Sequence, residues 1–310
     1  MLNGGFDYRE TIGQESAGRS VLEHLARRYR HSSPEEWRER ILGGRVLLDG
    51  EPAAADGRLR AGHVLVWRRP PWVEPEAPLG WALVHRDREM LGVVKPPGLP
   101  TVPGGGFLEH SLLFQVRKRF PDAAPVHRLD RGASGVVLFA RTALARVRMA
   151  EAFREGRVEK EYLARVQGSP PWEETEIAAP IGRSPSRLFV AVPEGMPARA
   201  ARTHVRVLRR DAKQSLLAVR PFTGRPHQIR IHLALAGHPL VGEPVYGPGG
   251  LPLPQAARPG AGGYFLHALR LRFEHPESGK VVEIVSPLGA LFTEQGRRHS
   301  LLPRTAARRI

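Results

Sequence analysis

Between Ser20 and Tyr29, Leu22 and Leu25 stand three positions apart among polar residues, the spacing of one face of a short helix. Ser33-Pro34-Glu35-Glu36 then supplies an N-cap, a proline at the first helical position and a glutamate at the third. This predicts a second helix that runs to Leu42 and stops at Gly43-Gly44. After it the period changes. Val46 to Leu48 leads into the turn pair Asp49-Gly50, and Leu59 to Trp67, with Val64 and Val66 alternating, predicts a further strand. Residues 15–72 therefore read as helix, helix, small sheet. The segment Pro70 to Pro78 is proline-rich and extended, which places a linker at 73–80.

From 81 to 296 the pattern is of short strands: Leu91 to Val94, Val136 to Phe139, Tyr162 to Val166, Val205 to Leu208 and Leu216 to Val219, divided by Gly and Pro clusters. Two helices interrupt them. One starts at Thr142, a capping residue, and passes through Leu144, Val147 and Phe153 to Gly156; the other starts near Pro226 and ends at Gly237. Many strands and few helices predict an α+β domain with a mixed, mostly antiparallel sheet. The tail 297–310, with Arg297, Arg298, Arg304, Arg308 and Arg309, reads as a loose basic segment, either solvated or in contact with RNA.

Charge changes this picture. The 310 residues include 47 Lys and Arg against 31 Asp and Glu, a formal +16, which points to a polyanionic partner such as nucleic acid. Only five of the basic residues are lysine, as GC-rich codon usage would produce, but codon usage does not explain the shortage of acids. Residues 1–75 hold 12 Arg and 11 acids, so the excess lies in the larger domain. The absence of cysteine excludes disulfide scaffolds, thiolate zinc sites, iron-sulfur clusters and thiol nucleophiles. No apolar run approaches the ~20 residues of a membrane helix, and no secretory pattern opens the chain, so the expected location is cytoplasmic.

Two segments could carry chemistry. His127-Arg128-Leu129-Asp130-Arg131-Gly132-Ala133-Ser134-Gly135 crowds polar groups before the apolar run Val136 to Ala140, so they sit on a loop held by a rigid strand. Between Arg128 and Arg131, Asp130 should stay ionised, as a nucleophile, base or electrostatic stabiliser or simply as a structural ion pair. The second segment, Thr223 to Pro239, should be helical from Pro226, with Ile229, Leu233 and Ala236 on one face and Arg230 on the polar side as the functional candidate. Its histidines do not read as zinc ligands: His227 and His232 are five apart, about 140° out of phase on a helix. Lys95-Pro96-Pro97-Gly98 and Gly104-Gly105-Gly106 lack the spacing of a phosphate loop and read as turns. Trp67, Trp72 and Trp81 could stack on bases or pack between domains.

Together these blocks resemble RluA-type pseudouridine synthases. His127-Arg128-Leu129-Asp130 with Ser134-Gly135 is similar to that family's catalytic signature, and Gly224-Arg225 with His227-Gln228-Ile229-Arg230-Ile231-His232 to its second signature. Val94 to Leu99, Lys160 to Ala164, Gly242-Glu243-Pro244-Val245-Tyr246-Gly247 and Leu266-His267-Ala268 agree in family order across about 180 residues. Gly132, Ala133 and Pro226 depart from the commoner acid, threonine and threonine. Residues 15–72, through Trp37 to Gly50 and Ala61-Gly62-His63-Val64, resemble the alpha-L RNA-binding module, with His63 where an aspartate is usual.

The resemblance implies isomerisation of uridine in RNA: the bond from ribose C1′ to uracil N1 breaks, the base turns, and C5 rejoins C1′. It implies Asp130 as the essential aspartate, attacking C1′ or taking a ribose proton, Tyr162 as the tyrosine packed on the base, and Arg230 as the partner of the aspartate. His127, Arg128, Arg131, Lys95, Lys160, Arg225 and His227 are the expected RNA contacts, with Arg128 filling the gap left by base extrusion. No metal, nucleotide or redox cofactor is expected, and the default state is a monomer. Attachment of an alpha-L module favours large-subunit ribosomal RNA, with transfer RNA as the rival substrate and a non-catalytic RNA-binding or ribosome-assembly protein as the rival class. Hydrolysis of the glycosidic bond would require a second carboxylate, which the sequence does not place.

Overall fold

The structure is a computed structural model that describes residues 2–184, 188–192, 197–254 and 263–287. The basic tail 297–310 and the last residues expected of the larger domain, 288–296, lie outside the described residues. The chain divides into two compact units, Met1–Glu74 and Pro75–Ile310.

In the first unit, helices Val21–Arg28 and Pro34–Leu42 each open on a complete capping box. Ser20 and Ser33 accept from the backbone of Glu23 and Glu36, whose carboxylates return to the cap N–H groups. Four antiparallel strands pair side by side in the order Phe6–Thr11, Val64–Arg69, Val46–Leu48, Glu51–Pro52. Two details differ from the sequence reading. The last strand begins at Val64 rather than Leu59, because Arg60 to His63 close a turn and Val64 N–H is taken by Asp49 Oδ1 at 2.7 Å. The edge strand Phe6–Thr11 precedes the expected start of the unit; its side chains are mostly exposed, so no apolar alternation announced it. Ile12, Val21, Leu25, Trp37, Ile41, Val46, Leu59 and Leu65 form the core. Trp67 packs here, 5.0 Å from the Trp37 ring and 5.2 Å from Tyr8.

The second unit is an α+β domain on a ten-stranded, mostly antiparallel sheet. Its main path runs Glu174–Ile177, Thr203–Arg210, Gln214–Pro221, Glu159–Gln167, Leu266–Glu274, Ser134–Ala140, Met90–Lys95, Ala82–Arg86. The single parallel pairing among these described strands joins Ser134–Ala140 to Leu266–Glu274. A side chain at Gly135 would bring its Cβ within 2.2 Å of the Ala268 carbonyl, and the residue has φ 109°, so glycine is required where the Asp130 loop enters the sheet. Strand Ser134–Ala140 is buried throughout, and the surrounding core takes in Leu91, Val93, Phe139, Ala164 and Leu233, with Trp81 packed against it.

Both expected helices form, with corrected faces. Ala143–Arg154 is capped by the Thr142 side chain, but it buries Ala145, Met149 and Ala152 and leaves Leu144 and Val147 exposed. Small residues let that side approach strand Ser134–Ala140 and its core. The second helix is Gln228–Leu235. Pro226 lies outside it because His227 adopts a left-handed conformation (φ 57°) at the N-cap. Gln228 to Ala234 are all buried, so this helix has no polar side over that span, and Arg230 lies in the interior.

Candidate active site

The loop 127–133 is tied down before any substrate binds. Thr101 Oγ1 donates to the Leu129 carbonyl at 2.8 Å and accepts Leu129 N–H, and Gly98 N–H donates to the Arg131 carbonyl at 2.7 Å. This rigid loop sets Asp130 beside the buried helix. Arg230 Nη1 donates to Asp130 Oδ2 at 3.1 Å, the Tyr264 hydroxyl donates to the same oxygen at 3.2 Å, and His227 Nε2 lies 3.6 Å from it. Among the described residues Oδ1 accepts no hydrogen bond, and about a quarter of the side chain (26%) stays accessible.

Arg230 is itself held by a second carboxylate. Its Nε donates to Glu243 Oε2 at 2.9 Å and its Nη2 to Oε1 at 2.6 Å, the paired geometry a guanidinium fork favours. Glu243 Oε1 also accepts the N–H groups of Val245 and Tyr246, and the guanidinium lies 4.4 Å from the Tyr264 ring centre and 5.2 Å from that of Tyr246. Two of its donors therefore fix the arginine and the third serves Asp130.

These contacts set the charge states. Burial pushes the Asp130 carboxyl upward, and the charges of His227 and Arg230 with the hydrogen bonds from Arg230 and Tyr264 outweigh it, holding the pKa below the ordinary carboxylate value. Burial lowers the His227 pKa, so the cation that persists beside Asp130 at neutral pH is Arg230. Burial and the Asp130 charge raise the Tyr162 phenol, which stays protonated. An open recess of about 140 Å³ is lined by Asp130, Tyr162, Arg128, Lys160, Arg225 and His227 among others. An ionised carboxylate thus faces a cavity walled by one buried tyrosine and several basic groups.

A family model described as RNA pseudouridylate synthase matches residues 89–235, which include Asp130, Tyr162 and Arg230. An RNA pseudouridine synthase of Synechocystis sp. is 38% identical over 275 residues, covering 86% of this chain and 94% of the relative. The chain belongs to the RluA-type RNA pseudouridine synthases. A protein named ribosomal large subunit pseudouridine synthase D from Xanthomonas campestris pv. campestris is 36% identical, with 89% of this chain and 88% of the relative covered. Among solved structures, human RNA pseudouridylate synthase domain containing 1 aligns with a TM-score of 0.55 at 28% identity, over 70% of this chain and 86% of that one.

Of the ten residues singled out in the sequence of this synthase, Asp130, Tyr162, Arg230, Arg128, Lys160, Arg225 and His227 line the recess. Lys95, His127 and Arg131 do not line it, and the wholly buried Lys95 is corrected as an RNA contact. Lys95 is wholly buried and donates to the carbonyls of Pro96, Leu99 and Arg131, so it ties two loops together. His127 Nε2 accepts Leu138 N–H at 3.0 Å while its ring stacks on Phe153. Burial and the Lys160 charge push its pKa down to about 3, which keeps it the neutral acceptor this bond needs. Arg131 lays its guanidinium over the Phe107 ring at 5.2 Å. Neither sequence neighbour, Arg128 or Arg131, is what holds Asp130; the distant Arg230 does.

His232 bonds Thr203 Oγ1 and the Ala179 carbonyl, while His227 meets Tyr246 and Asp130, so the two histidines serve different neighbourhoods. The sequence reading gave Glu243 and Tyr246 no role, although both lie in a matching block, and it missed Tyr264. An acid three residues before an aromatic, within a matching block, was the available signal for Glu243; nothing local marked Tyr264, 134 residues from its partner.

Proposed function

We propose that this RNA pseudouridine synthase modifies uridine in structured large-subunit ribosomal RNA, with Asp130 as its catalytic carboxylate. One observation carries the assignment of Asp130: Oδ2 takes the contacts of Arg230, Tyr264 and His227, while Oδ1 is left for the ribose. An ionised oxygen so placed can attack C1′ or accept a ribose proton as the C1′–N1 bond breaks. The reaction is an isomerisation: C1′–N1 is exchanged for C1′–C5, the C5 proton leaves and N1 gains one. In this reading Tyr162, buried and protonated, forms an apolar wall for the uracil ring, and Arg128, exposed at the recess, fills the gap left in the RNA.

The relative named for the large ribosomal subunit supports that substrate over transfer RNA. Hydrolysis of the glycosidic bond is disfavoured by the second carboxylate itself. Glu243 is fully buried and both its oxygens are engaged by Arg230, so it does not flank a substrate bond.

Chemical pseudouridine mapping of total RNA from cells lacking the gene tests both parts. The expected result is loss of one or a few signals in large-subunit ribosomal RNA, restored by the wild-type gene and not by Asp130→Asn. Loss confined to transfer RNA would overturn the substrate, and full turnover by Asp130→Asn would overturn the assignment of the carboxylate.

A further inference from the structure

Gly132 stands two residues after Asp130 on the same loop, and its backbone does not explain the glycine. Its φ lies outside the left-handed range, so the chain there suits any L residue. A Cβ, however, would stand 2.6 Å from Tyr264 Cε1 and 3.0 Å from both Cδ1 and Cζ of that ring, the three nearest atoms it would meet. A ring at the surface could swing aside, but this one is 2% exposed. The Arg230 guanidinium lies 4.4 Å from its centre. Its backbone is clamped as well: Phe265 N–H donates to the Val241 carbonyl at 3.2 Å, and a Cβ at Gly242 would fall 2.5 Å from the Gly263 carbonyl and 3.4 Å from Tyr264 Cα. The glycine that replaces the commoner acid at 132 therefore has a physical reason, the space taken by Tyr264.

That space puts the Tyr264 hydroxyl 3.2 Å from Asp130 Oδ2, which also accepts from Arg230 Nη1 at 3.1 Å. An ionised carboxylate only accepts, so the hydroxyl is the donor. His227 Nε2, at 3.6 Å, is beyond hydrogen-bond distance. Burial and the Asp130 charge raise the Tyr264 phenol well above its ordinary pKa, so the donor keeps its proton. A single donor would let the carboxyl group turn about its Cβ–Cγ bond and exchange its oxygens. Two donors on one oxygen, from helix Gln228–Leu235 and from the residue two before strand Leu266–Glu274, decide which oxygen is held and which is free.

We propose that Tyr264 is a positioning residue of the isomerisation: its hydroxyl fixes Asp130 Oδ2 so that Oδ1 meets the ribose, and the bare backbone of Gly132 is what admits its ring. The assignment rests on Asp130 as the reacting carboxylate. It makes residues 132 and 264 one steric and functional unit, so that neither can change alone without moving the acid.

The test uses the full chain and an RNA fragment carrying the mapped uridine, with turnover read as tritium released from C5-labelled uridine. Tyr264→Phe keeps the ring and removes the hydroxyl. Its kcat should fall about tenfold while KM and equilibrium RNA binding stay within about twofold of wild type. Gly132→Ala, which displaces the ring, should lower kcat by a similar factor in the wild-type background and by less than about twofold in Tyr264→Ala, where the ring is gone. Full kcat in Tyr264→Phe would overturn the positioning role, and an equal loss from Gly132→Ala in both backgrounds would overturn the steric unit. If Gly132→Ala does not fold alone, recovery of its urea midpoint in the Tyr264→Ala background supports the same coupling, and no recovery overturns it. Turnover by Asp130→Asn would overturn the reading of the carboxylate; an inactive Asp130→Asn beside a fully active Tyr264→Phe would overturn the role of Tyr264 and leave that reading standing.

Discussion

Lys95, at the end of strand Met90–Lys95, and Arg230, on helix Gln228–Leu235, are both cations with almost no exposure, 0% and 1%. Their partners differ in kind. Lys95 spends its three donors on backbone carbonyls and ties the turn after it to the Asp130 loop. Arg230 spends its donors on two carboxylates, one buried and one facing the recess. Burial pushes Lys95 down to about 7. The same burial acts on Arg230, but Glu243, Tyr264 and Asp130 raise its pKa above the usual guanidinium value. A buried cation is therefore informative only through what it touches: carbonyl partners mark a structural tie, carboxylate partners a charge held ready for chemistry.

The largest effect that would sharpen this contrast is expected from Arg230→Met. It leaves Asp130 and Glu243 without their shared cation, and removing one partner of a buried pair costs about 3–5 kcal/mol. Denaturant unfolding should show that loss, and pseudouridine formation should disappear with it. Near-wild-type turnover would show that Asp130 does not depend on Arg230.

Lys95→Met comes next. It leaves three carbonyls without their donor at about 1 kcal/mol or more each, so stability should fall by about 3 kcal/mol. The folded fraction should keep a kcat within about tenfold of wild type, because Asp130 retains Arg230, Tyr264 and His227. Loss of kcat as complete as in Arg230→Met would erase the distinction between the two sites.

The smallest effect is a pH slope. Below about 7 Lys95 is protonated in the folded and unfolded chains alike, and the penalty for burying its charge is present in full. Between about 7 and its ordinary 10.5 the unfolded chain retains a proton that the folded chain releases. Its contribution to unfolding free energy should then rise with pH, by at most about 1.4 kcal/mol per unit. Urea titrations across that range should show the increment in wild type and not in Lys95→Met; equal slopes would place the lysine pKa elsewhere.

Local rules made part of the molecule readable. Ser33-Pro34-Glu35-Glu36 announced a helix start whose capping box closes within three residues, and Thr142 did the same for its helix. The apolar run Val136 to Ala140 is a buried strand at the centre of the sheet, and the α+β class follows from many such runs. These signals are short-range. The helix at Gln228–Leu235 shows where they fail: with Gln228 to Ala234 all buried, amphipathic spacing carries no information about its orientation, and a left-handed His227 replaces the expected proline start.

By itself the sequence determined most of the helices and strands, that the charge excess calls for a polyanion, and, through resemblance, that Asp130, Tyr162 and Arg230 stand in three matching blocks of one family. Only the tertiary structure decided that Arg230 is buried, that Glu243 and Tyr264 complete its site, and that Lys95 is an interior tie. The physical reason is separation along the chain. Asp130 meets Arg230 across 100 residues and Tyr264 across 134, and contacts at that range leave no periodic trace in the residues that make them.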